Sequence, residues 1–278
     1  MRAHPALLLI CAAALAGTPG CEFLVGNDGG GHGSTLPIDS KILVTMSERL
    51  APDDRGLVLN CRTEKEYGCH NYRIGHSLGR SGQTIRIDFR HIDVPELCLL
   101  ALGPARAEID LGALAPGGYV LELRAGGRTV TAGLAVSESA YVVTVAGDPA
   151  VGFTATRLDR VPDGTVWGLI GYLAPAGQPY DSLAKAFLDS LEVRGAKTGD
   201  FAPGDYGYFV IDGSGEIRTP PGHGYYFARP YIRRFDGDPA ALREVVAYYG
   251  KAHARWLNIS LDTWRGDAYY SWVLGSNP

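Results

Sequence analysis

From Lys41 to about Val145 the apolar and polar positions alternate in short runs about ten residues apart, the pattern of strands buried on one face. The runs are Ile42 to Met46, Leu57 to Cys61, Tyr72 to His76, Ile85 to Phe89, Ala107 to Leu111, Tyr119 to Leu123, Val130 to Val136 and Tyr141 to Val145. Between them stand Pro52-Asp53-Asp54, Gly79-Arg80-Ser81-Gly82, Pro116-Gly117-Gly118 and Gly126-Gly127, which supply the fixed or positive φ that a reversal needs. Eight such strands predict an all-β sandwich over residues 39–147. After Asp148 the period changes. Leu183, Phe187 and Leu191 recur at every fourth position beside Ala184 and Leu188, so a helix is expected from Tyr180 to Gly195, with Asp181 as cap and Gly195 as stop. A second helix is expected after Asp238 as cap and Pro239 at its first position, with Leu242, Val245, Val246 and Tyr249 on one stripe and Gly250 weakening its end.

Strand-like runs surround these helices: Val166 to Tyr172, Tyr206 to Ile211, Tyr225 to Tyr231 and Leu257 to Trp264. The order is βαββαβ, the split βαβ of ferredoxin-like folds, so an α+β domain of that kind is expected over residues 148–278. A hairpin from Phe153 to Val161 with the turn Pro162-Asp163-Gly164 precedes it, and Glu216-Ile217-Arg218 extends the middle hairpin through Asp212-Gly213-Ser214-Gly215. Leu257, Ile259 and Leu261, with Phe209 and Ile211, are the expected core positions of these strands. If both helices cover one sheet face, alternation sends Trp167, Tyr206, Tyr208 and Trp264, with Asn258, Ser260 and Asp262, to the other. Rings beside Asn and Asp suit a sugar, whose CH faces stack while its hydroxyls need polar partners. The competing reading packs this face against the sandwich. In the first module, Gly117-Gly118-Tyr119-Val120-Leu121 resembles the Gly-x-Tyr-x-Leu strand entry of immunoglobulin-like modules in bacterial secreted proteins, which implies an architecture and no particular activity.

The N-terminus carries Arg2 and then an apolar run over residues 6–16, shorter than a membrane span and typical of a secretory leader. Ala14-Leu15-Ala16 offers one cleavage site. Gly20-Cys21 offers another, and this stretch resembles the leader of bacterial lipoproteins, with Thr18 and Pro19 standing where the family favours Leu and a small residue. The resemblance implies a signal peptide over residues 1–20, acylation of Cys21 and a membrane anchor without a transmembrane helix. Gly26 to Ser34 is Gly-rich, as a tether spanning residues 21–38 requires. A soluble secreted or periplasmic protein is the alternative.

The chain has 278 residues with a net charge of -4, which argues against a polycationic nucleic-acid binder. In an oxidising compartment Cys61, Cys69 and Cys98 allow one bridge. Cys69–Cys98 is favoured, closing a loop of about 30 residues at ~3 to 4 kcal/mol in the chain-entropy model, with Cys61–Cys69 as the alternative. Glu64, Glu66, His70 and Asp93 lie in hairpins where charge is solvated, and no paired C-x-x-C supports zinc, so neither metal nor cofactor is expected. No phosphate-binding loop, dinucleotide fingerprint, H-E-x-x-H or nucleophile elbow is present. His223 and His253 with Asp212 or Asp262, and the cluster Arg229, Arg233 and Arg234, are the residues a hydrolase would use. The expectation is a lipid-anchored, non-catalytic binding or scaffolding module of a bacterial envelope with a protein or glycan partner, and an envelope hydrolase is the alternative.

Overall fold

Every alternating run of the first half forms a strand, yet the strands join one curled mixed sheet instead of the two sheets of an immunoglobulin-like sandwich. The computed structural model describes residues 34–52, 54–172, 180–219 and 227–275. The curled sheet contains β1 (Thr35–Leu36), β2 (Ile42–Arg49), β3 (Gly56–Tyr67), β4 (Arg73–Ser81), β5 (Thr84–Asp93) and β6 (Gly103–Asp110). It continues with β7 (Gly117–Ala125), β8 (Arg128–Val136), β9 (Ala140–Val145), β10 (Val151–Phe153) and β11 (Arg157–Asp159). Its spatial order is β10-β2-β3-β6-β4-β5-β7-β8-β9-β11, with β1 added to β5.

Two local features make the sheet continuous. Arg73 of β4 pairs in parallel with Arg106 of β6, joining halves that a sandwich would keep apart. β10 and β11 stand at opposite ends of the strand order although only residues 154–156 separate them. Four Cα steps reach at most about 14 Å, so the two ends of the sheet must lie that close and the sheet curls on itself. Thr154 N–H donates to Val44 O at 2.9 Å and Val143 N–H to Thr156 O at 2.8 Å, so the link is bonded to both ends. The expected hairpin from Phe153 to Val161 is thereby replaced: its two arms pair with β2 and β9. Ile42, Val44, Leu57, Leu59, Ile85, Ile87, Leu121 and Leu123 fill the inside of the curl, each at most 1 % exposed. Burying each such side chain is worth about 1.5–3 kcal/mol, which is what drives closure.

The second half begins with β12 (Thr165–Tyr172), α1 (Tyr180–Val193) and β13 (Ala196–Lys197). β14 (Gly204–Asp205), β15 (Val210–Ile211) and β16 (Ile217–Arg218) follow, then β17 (Phe227–Phe235), α2 (Pro239–His253), β18 (Leu257–Thr263), β19 (Ala268–Tyr270) and α3 (Ser271–Leu274). A five-stranded sheet runs β13-β17-β12-β18-β19, and β14-β15-β16 is a separate sheet. Both helices bury the stripes expected of them, Ala184, Phe187, Leu188 and Leu191 in α1 and Leu242, Val245, Val246 and Tyr249 in α2, against Leu257, Ile259 and Leu261. Asp238 caps α2, its carboxylate accepting from Ala240 N–H at 3.0 Å, and Gly195 takes φ +108° after α1. Asp181 lies within the first turn of α1. α2 also runs through Gly250, where a side chain would meet the backbone of Ser271 in α3 and of Gly275 just after it.

The expected sandwich followed by a ferredoxin-like domain is therefore corrected to a mostly β fold with three sheets among the described residues, one of them large, curled and mixed. Tyr206 to Ile211, expected as the second strand of the βαββαβ order, is absent from the five-stranded sheet. Gly207 at φ +79° is the reason: its N–H bonds the Asp205 carboxylate at 2.8 Å, and Tyr206 N–H bonds Phe209 O at 3.0 Å. The run of rings is a tight turn, and β14 and β15 are its arms. Phe209 and Ile211 are buried as expected, but on the side of the five-stranded sheet away from the helices.

Candidate functional site

Trp167, Asn258 and Asp262 of the expected aromatic face share one side of the five-stranded sheet. Register places Trp167 opposite Asp262 and Gly171 opposite Asn258, both polar side chains half-buried. Trp167 and Tyr206, however, are covered, and Trp264 is half-buried. Trp167 is 3 % exposed, with Phe209 at 5.2 Å and Tyr208 at 5.5 Å, and Tyr206 stacks on Phe209 at 4.8 Å. Trp264 packs against this cluster and against Phe235 of the helix-side core, with rings 6.5 Å apart. Tyr208 donates its hydroxyl to the Glu48 carbonyl at 2.6 Å, fastening the three-stranded sheet to β2. Burial and the nearby Glu48 charge push the Tyr208 phenol up. These rings form a seam between sheets, not an open platform.

Glu48 lies at the centre of that seam, its side chain fully buried. The carboxylate accepts from Arg55 at 2.6 Å, from Arg160 at 2.9 Å and from Val161 N–H at 3.1 Å, and Tyr141 donates to it at 3.5 Å. Burial, followed by the Glu48 charge, pushes the Tyr141 phenol up to about 12. Arg55 reaches on to Asp163 at 2.9 Å. Sequence reading missed Glu48, although it continues the buried parity of Ile42, Val44 and Met46 along β2.

Outside this seam the described residues enclose an open cleft of about 1490 Å³, between the outer face of β2, β3, β6 and β4 and the three-stranded sheet. Its floor carries a row of like charges. Arg62 of β3 stands opposite Arg106 of β6, and Arg106 opposite Arg73 of β4. All three are exposed, and among the described residues none makes an ion pair or side-chain hydrogen bond. Asp93, the register partner of Arg73, bonds His91 Nε2 at 2.9 Å instead. Asp205 holds its own turn, and Glu108 lies two residues beyond Arg106. On the far wall Arg218 is occupied by Asp212 at 3.1 Å. The Asp212 carboxyl is itself held below its ordinary value by hydrogen bonds from the Ser214 hydroxyl and the Glu216 and Ser214 N–H groups.

Cys21 and His223 lie outside the described residues. His253 ends α2 with its ring 5.3 Å from that of Tyr249, on the helix side, so the fold does not bring it to Asp262, which faces the other way. Arg233 bonds the Ile232 carbonyl, while Arg234 lies over the Phe201 ring at 4.7 Å. Asp236 pairs with Lys197 at 2.6 Å, and Asp238 caps α2. Among the described residues no group of three His, Cys, Asp or Glu gathers as a metal site would, so Glu64, Glu66, His70 and Asp93 form none. No helix among them is long and apolar enough to cross a membrane.

Cys69 and Cys98 form the favoured disulfide, 29 residues apart, and Cys61 is a free buried thiol. Burial pushes that thiol up to about 12. Since the thiolate is the nucleophile, iodoacetamide at pH 8 is expected to leave Cys61 unmodified in the native protein and to alkylate it fully in guanidinium. Modification at equal rates in both states, read by peptide mass, would show that β3 is open at this point. Compared with known proteins, the chain matches no family model, no curated protein and no solved structure.

Proposed function

We propose that this protein is a lipid-anchored, extracytoplasmic binding or scaffolding module of a bacterial envelope. Cys21 holds it to a membrane, and the cleft receives a partner, protein or glycan, that bears acidic groups. Export is supported by the Gly20-Cys21 leader and by the Cys69–Cys98 bridge, since disulfides persist in oxidising compartments. The observation that carries binding is the row Arg62, Arg106 and Arg73. Like charges directly opposite one another on neighbouring strands destabilise a sheet, so the row opposes folding and calls for a role outside the fold. A guanidinium with no partner among the described residues offers a two-pronged fork to a carboxylate, sulfate or phosphate. Strands about 4.8 Å apart set the three forks side by side, which suits a ligand with several acidic groups in line.

The test is a fluorescence titration of the full-length protein with labelled oligogalacturonate and with labelled polyglutamate, one a carboxylate glycan and the other an acidic peptide. Charge-assisted hydrogen bonds are worth about 1.5–3 kcal/mol each, so Arg62→Gln, Arg106→Gln and Arg73→Gln together are expected to weaken binding at least about hundredfold. The preferred probe identifies the partner class. Equal affinity of wild type and triple variant for both probes, at unchanged circular dichroism, would remove the cleft from the function.

A further inference from the structure

The loop from β5 to β6 carries four leucines that point away from the fold: Leu97, Leu99, Leu100 and Leu102 are 76, 52, 92 and 74 % exposed. So many apolar side chains together on one loop mark a contact surface. The loop is held in place. Cys98 is bonded to Cys69, His70 N–H donates to Leu99 O at 3.1 Å, and Asn71 both donates to Leu97 O at 2.7 Å and accepts from Leu99 N–H at 3.1 Å. Little ordering entropy is therefore left to lose on contact. The described chain enters the fold at the same place. Val94 N–H donates to Ser34 O at 2.9 Å, and β1 pairs with the end of β5. Thirteen residues take the chain from Cys21 to Ser34, so whatever their conformation a lipid on Cys21 holds Ser34 within about 47 Å of its membrane.

We propose that this loop docks on the bilayer that holds Cys21, seating its leucines in the acyl layer. The inference rests on the lipid-anchor reading given above. The leucines have Glu96 beside them and no basic residue within residues 94–102, which favours the apolar interior of the bilayer over an anionic headgroup. Burying one leucine shifts a partition by about tenfold to a hundredfold, and an anchor adds to this by raising the local concentration. His70 and Asn71 both hold the loop and line the cleft, so docking also fixes where the cleft stands above the membrane.

The experiment uses full-length Leu100→Trp protein in phosphatidylcholine–phosphatidylglycerol vesicles with and without brominated acyl chains, against the wild type for the native tryptophans. The added emission is expected to be quenched by the bromolipid. Adding Leu97→Ser and Leu99→Ser should lower the docking equilibrium constant at least about hundredfold and abolish the quenching, with circular dichroism unchanged. Absence of quenching in Leu100→Trp overturns the proposal, as does self-association that the serine variants abolish without any quenching, which would assign the leucines to a second copy. Intact mass of the Cys21 peptide reports the anchor separately. An acylated protein without quenching refutes docking alone, and an unacylated one with quenching refutes the anchor alone.

Discussion

Glu48→Ala is expected to lower the unfolding free energy by about 3–5 kcal/mol, measured by guanidinium denaturation, because it leaves two arginines facing a buried vacancy. Arg55 and Arg160 are each 18 % exposed at the side chain and bond opposite oxygens of the same carboxylate. Val161 N–H and the Tyr141 hydroxyl lose their acceptor as well. The cost comes from stranding these groups and not from any large net strength of the pair. Glu48→Leu combined with Arg55→Met and Arg160→Met should therefore recover most of the loss, since apolar replacement of a whole buried network is often neutral. A loss below about 1 kcal/mol for Glu48→Ala would mean that water reaches the carboxylate and that the seam is not sealed.

Trp167→Ala is expected to cost about 3–5 kcal/mol, the usual range for deleting a buried tryptophan, and to leave binding of acidic probes unchanged under conditions where the variant is folded. The ring is 3 % exposed and packs on Phe209 and Tyr208, so its removal opens a cavity where the five-stranded and three-stranded sheets meet. Thermal and guanidinium melts measure the first effect, and the galacturonate titration measures the second. The opposite pattern, an unchanged melt with lost binding, would restore the open aromatic platform that alternation alone suggested.

These two predictions show where sequence reading reached and where it stopped. Trp167, Asn258 and Asp262 were placed on one face by parity, and the register bears out that placement. Parity cannot say what lies over a face. Here a turn made by Gly207 folds Tyr206, Tyr208 and Phe209 back over it, and a run of alternating rings looks the same whether it extends or reverses. Glu48 was missed for a related reason. Its inward parity was visible in β2 and Arg55 lies only seven residues on, but the other groups that make its burial tolerable, Tyr141, Arg160 and Val161 N–H, lie 93, 112 and 113 residues away in sequence.

The sequence by itself determined what local physics governs. Eight alternating runs became strands because period-two apolar spacing has one way to bury its face. Asp238-Pro239 and Gly195 set helix ends because capping and positive φ are satisfied by the nearest residues. The bridge between Cys69 and Cys98 is the one favoured from the sequence. Only the tertiary structure decided that the strands form one curled sheet, that Trp167 lies inside and that three arginines stand in a row. Each of these depends on register between segments distant in the chain, where a shift of one residue turns every side chain to the other face.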